Sequence, residues 1–137
     1  MLNTACSVPL IRNMFGVVSE VINFINESAK RREIALSVQD DDCRRHLVTL
    51  CETRFIERHD ALIVFAELYG HTLHALDAIA QQSRDRKAVD KANSLSRAIT
   101  DPGVIVALCC AEKVMTVTVV LSRSLQKVNQ DLFEAME

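Results

Sequence analysis

Apolar residues recur along this chain three or four positions apart, which is the spacing of a helix face. Ile11, Phe15, Val18, Ile22 and Ile25 predict a first helix starting near Pro9, with Ser7 able to cap it and proline tolerated in its first turn. Gly16 lies inside it as a weak point or a place of close packing. Ser28 to Gln39 predicts a shorter helix, or a continuation of the first, and Asp40-Asp41-Asp42 marks a loop or boundary. Lys30-Arg31-Arg32 sits in its first turn, a poor place for cations because the helix dipole is positive there. A third helix is expected from Thr53, its N-cap, with Phe55, His59, Leu62, Ala66 and Tyr69 on one face and Ile56, Ile63 and Phe65 widening it. Gly70 is read as a breaker or kink. Leu73, Leu76 and Ile79 carry a helix over His71 to Gln82, Gln81 to Lys87 reads as a loop, and Val89, Ala92, Leu95 and Ile99 mark an amphipathic helix from Ala88.

Asp101-Pro102-Gly103 is a helix start, an N-cap followed by proline at the first helical position. The segment behind it, Val104 to Leu125, is long and apolar. Its second part, Val114 to Leu121, is rich in β-branched residues and also fits a strand. No second such run offers a pairing partner, so a buried helix is the expectation. Asn129 to Glu137 would form one more helix, with Leu132, Phe133 and Met136 inward. The pattern as a whole predicts a single all-α domain over residues 1–137, an irregular bundle of about five to seven helices, without internal repeats.

Composition agrees. An apolar fraction of 49% suits a globular core, and 3 Gly with 2 Pro are too few turn signals for a β-sandwich or barrel. With aromatics at 4%, the core must rest on aliphatic side chains. The net charge of −2 removes a whole-chain attraction to nucleic acid, although Lys30-Arg31-Arg32, Arg44-Arg45 and Arg54 with Arg58 are local basic groups. Glu112-Lys113 interrupts the longest apolar run, Val104 to Leu121, so a soluble segment and no membrane partner are expected. The N-terminal residues lack a secretory pattern, so Cys6, Cys43, Cys51, Cys109 and Cys110 are read as reduced thiols in the nucleus or cytoplasm.

One segment goes beyond pattern. Leu50 to Leu62, LCETRFIERHDAL, resembles the C-x-T-R-W-x-x-R-x-x-A-L signature of hAT-superfamily transposases and host proteins derived from them. The likeness extends in family order. Leu2-Asn3 resembles the Leu-Asn-Leu after the family's second catalytic aspartate. Ala5 to Arg32 is similar to its long helix, Phe-Ile-Asn stretch and Ser-x-x-Arg. Leu125, Gln126, Asp131 and Leu132 match its Leu-Gln-x-x-x-x-Asp-Leu pattern. It is closest to the domesticated group that includes the THAP-domain repressor of the protein-kinase inhibitor and the MYM-type zinc-finger proteins.

In that family a helical insertion splits an RNase H-like domain whose two aspartates and one glutamate hold two divalent metals. This chain starts after the second aspartate would occur and stops before the glutamate region. The resemblance therefore implies a non-catalytic insertion-domain fragment or domesticated remnant, not an enzyme, acting through protein contact, self-association or weak DNA contact. The family's tryptophan stacks on a flipped base, and such stacking is worth ~1–3 kcal/mol. Phe55 stands in its place, with less area and no N–H donor. The DNA-binding candidates implied by the resemblance are thus Arg54, Phe55 and Arg58. The structural alternative makes Phe55 a core residue and pairs the arginines with Glu57 or Asp60.

Other chemistry is weaker. His71 and His74 lie at i, i+3 and the cysteines supply thiols, so a small zinc-binding helical module is a rival reading. No C-x-x-C pair supports it. Cys51 with His59 is eight positions apart across a helix start, and no glycine-rich phosphate loop or Glu-x-x-His pair is present. No cofactor, metal or small-molecule substrate is expected. A stand-alone helical interaction protein unrelated to transposition is the remaining alternative.

Overall fold

A computed structural model describes residues 9–40, 45–47, 49 and 55–135, and their side chains apart from 55–57, 126 and 128–135. The described residues form an all-α bundle of six helices: α1 (Pro9–Asn26), α2 (Ala29–Ser37), α3 (Phe55–Glu67), α4 (Tyr69–Gln82), α5 (Arg86–Ile99) and α6 (Pro102–Ala135). Helix α1 packs against α6, α5 and α2, α4 packs on α5 and α2, and α3 lies along α6. The stripe predicted for α1 is the heart of the core. Phe15, Val18, Ile22 and Ile25 are buried with Met14, Val21 and Phe24, and Leu62, Phe65, Leu76, Ile79, Leu95 and Ile99 close over them.

Local chemistry explains where the helices begin. Asp85 caps α5 by accepting from the Lys87 amide at 3.0 Å. Asp101 caps α6 by accepting from the Gly103 amide at 2.9 Å and the Val104 amide at 3.3 Å. One misplaced cation of α2 finds local partners: the Arg31 guanidinium lies 4.1 Å over the Phe24 ring and 3.8 Å from a Glu27 carboxylate oxygen. Gln39 and Asn26 hold the chain beyond α2. The Gln39 amide receives the Arg45 N–H at 2.8 Å and donates to the Arg45 carbonyl at 3.0 Å, and Asn26 donates to the Leu47 carbonyl at 3.1 Å.

Several boundaries differ from the sequence expectation. The Gln81 to Lys87 loop shrinks to residues 83–85 between α4 and α5, because the Asp85 cap starts α5 early. The kink expected at Gly70 sits at Leu68, and Gly70 lies in the first turn of α4 without a positive φ. Thr72 Oγ donates to the Leu68 carbonyl at 2.8 Å, a back-bond that bends helices. Among the described side chains of α3, His59, Ala61, Leu62 and Phe65 are buried, followed by Leu68, whereas Ala66 and Tyr69 are half-buried. The separate tail helix expected from Asn129 is absent as such, because α6 runs unbroken to Ala135. No proline or glycine interrupts the chain after Gly103.

The β-branched stretch 114–121 is helical. Thr116 and Thr118 donate their hydroxyls to the carbonyls of Glu112 and Val114, each at 2.7 Å, which satisfies them inside the helix. The expectation of a buried helix fails on one side, however. Val104, Ala107, Leu108, Ala111, Met115 and Val119 are buried, while Val106, Val114, Val117, Val120, Leu121 and Leu125 are exposed. The bundle covers one face of α6, and the other is apolar and open to solvent.

Candidate interaction surface

The residues predicted to meet DNA are only partly described. Arg54 lies outside the described residues, as do Thr53 and Cys51, and Phe55 opens α3 with its side chain undescribed. Arg58 is half-buried, and its guanidinium lies 4.1 Å from the centre of the Phe15 ring on α1. It therefore helps pin α3 to α1, and its Nε has no hydrogen-bond partner. Asp60, the pairing partner proposed from sequence, instead lies 3.2 Å from His59 Nδ1 and 3.6 Å from Arg123 Nη2 of α6. His59 is 5% exposed and its Nε2 is also unpartnered. The His59–Asp60–Arg123 row is thus a polar tie between α3 and α6.

Cys43 and Cys51 lie outside the described residues, and the zinc candidates that are described do not converge. His71 is half-buried and His74 exposed on α4, and Cys109 and Cys110 are exposed on α6. Among the described residues no group of three or more His, Cys, Asp or Glu side chains could hold one ion. Two open grooves lie among the described residues. One of about 450 Å³ runs along α1 past Arg12, Asn13, Gly16 and Glu20. Another, of about 470 Å³, is lined by mixed charges that include Glu20, Glu27, Arg31 and Lys91. Neither presents a nucleophile beside a base.

The outer face of α6 is the most unusual surface described. Along about 30 Å of helix it exposes Val106, Val114, Val117, Val120, Leu121 and Leu125, with Val117 at 65%. The stretch from Pro102 to Leu125 is long and apolar enough to cross a membrane by length and composition. About a third of it, however, is buried in the bundle's core. A helix that is apolar all round must bury both sides in something. Sequence reasoning put the whole segment inside. The signal it passed over is that one small bundle has too few helices to surround a long central one.

Comparison with known proteins adds no relative. No family model, no curated protein and no solved structure matches this chain.

Proposed function

We propose that this chain is a non-catalytic helical module that works by contact, and that the outer face of α6 is its contact surface. The observation that supports this is the row of exposed aliphatic side chains from Val106 to Leu125. Large contiguous apolar patches on a protein surface mark protein or membrane interaction sites. The resemblance of Leu50 to Leu62 to the hAT signature adds an origin to the reading: a remnant of a transposase insertion domain, retained for protein contact. DNA contact through Arg54, Phe55 and Arg58 is a separate proposal and calls for its own assay, because Arg58 is already stacked on Phe15.

The test is site-specific photo-crosslinking in the cells the chain comes from. A photoreactive residue at position 117 should give discrete adducts. One at Asp90, exposed on α5, should not. Equal adducts at the two positions, or none at 117, would refute the contact surface.

A further inference from the structure

Building on the contact surface just proposed, we infer that the outer face of α6 receives an amphipathic helix with acidic flanks, supplied by another protein. Three observations carry this.

The first is spacing. Cys110, Val114, Val117 and Leu121 follow one another at intervals of four, three and four, and all are exposed. That alternation is the seam of a helix pair, in which side chains repeat every 3.5 residues and a second helix lies along them. The seam is a stripe, not a broad sheet, so its shape fits a rod.

The second is charge. Lys113, Val120 and Lys127 stand seven apart and so share one flank of the seam, and both lysines are exposed. Thr118, half-buried, and Leu125, exposed, lie on the other flank, which carries no charge; Ala111 at its start is buried against the bundle. Glu112 is half-buried and lies round the helix from the seam. Arg123 is held toward Asp60 of α3. The described flanks therefore offer cations and no acid.

The third observation separates the nearest rivals. Among the described side chains, a second copy laid on this face would bring Lys113 and Lys127 of its own and no acid to meet them. A bilayer would need apolar side chains all round the helix. Here Val104, Ala107, Leu108, Ala111, Met115 and Val119 are held inside the bundle. The complementary occupant is a helix with aliphatic side chains in its seam and glutamate or aspartate beside them. Lys113 and Lys127 would then set its orientation and register.

The experiment uses the full chain and two synthetic helical peptides. Both carry leucine at the seam positions; one has glutamate on its flanks and the other lysine. The glutamate peptide should bind about fivefold to tenfold more tightly at low salt, and the gap should narrow as salt rises. Combined Lys113→Glu and Lys127→Glu should invert the order. Val117→Asp should abolish binding of both while leaving the melting temperature unchanged, since Val117 touches solvent. Equal affinity for the two peptides, or an order that survives the double reversal, overturns the acidic partner. So does a dimer of the chain that neither peptide dissociates, or association with anionic vesicles and neither peptide. The two proposals fail separately. Adducts at position 117 without peptide discrimination would leave the contact surface standing and remove only its acidic occupant. Absence of both would remove the surface itself.

Discussion

Replacing Tyr69 with phenylalanine tests how the break between α3 and α4 is held, and it can be read spectroscopically. Tyr69 opens α4, its ring meets Phe65 edge to face with centroids 6.5 Å apart, and its hydroxyl donates to the Ile99 carbonyl at 2.7 Å. That carbonyl lies in the last turn of α5, where helix acceptors have no partner within the helix. The bond therefore links the start of α4 to the end of α5. Phenylalanine keeps the ring and removes only the bond, so the cost should be about 1 kcal/mol, or roughly 2–6 °C in melting temperature for a chain of this size.

The same group gives a pH dependence. Burial removes water from the phenolate and raises the Tyr69 pKa above its ordinary value of 10.0. The unfolded chain titrates near the ordinary value. Below pH 10.0 both states are neutral and the stabilisation is complete. As pH rises through the folded pKa the unfolded state has already lost its proton, so that contribution disappears. Tyr69 is the sole tyrosine and there is no tryptophan, so near-ultraviolet absorbance follows this one phenol. The native chain should ionise at higher pH than the urea-unfolded chain. The stability advantage of the natural chain over Tyr69→Phe should shrink above pH 10.0. A native midpoint at or below the unfolded one, or a difference between the two chains that ignores pH, would refute the argument.

Other substitutions separate local from tertiary causes. Gly16→Ala should stabilise the fold by ~0.5–1 kcal/mol in a urea titration, because an added Cβ meets nothing within 4 Å; a loss would mean hidden close packing. Asp101→Ala removes the cap of α6 and should cost ~1 kcal/mol, measured by the same titration, while Asp101→Asn should cost a fraction of that. If the Leu50 to Leu62 segment keeps a DNA-facing role, Arg54→Ala and Arg58→Ala should each weaken binding to hairpin DNA and flatten its salt dependence. No binding by the unmutated chain at low salt would end that reading.

The helices were legible because each carries its own cause. The α1 stripe, the Asp101-Pro102 start of α6 and the scarcity of glycine are local, and local chemistry decides them. Two boundaries were missed although their causes are local too. Asp85 caps α5 earlier than the hydrophobic pattern starts it, and the break before α4 falls at Leu68, whose carbonyl also accepts from the Thr72 hydroxyl. The candidate surface was hidden for a different reason, because a tertiary neighbour decides it. Sequence shows that α6 is apolar around most of its circumference, but not which side its neighbours occupy.

By itself, then, the sequence determined the all-α class, most helix positions and the aliphatic core. These follow from backbone propensity and from periodicity, which are properties of short stretches. Only the tertiary structure decided that Arg58 stacks on Phe15 and that Asp60 turns to Arg123. It alone showed that Val114, Val117 and Leu121 stay in water while Ala111, Met115 and Val119 do not. Those outcomes depend on how α1, α3 and α5 pack around α6. A helix carries the same apolar residues whether or not another element lies against them.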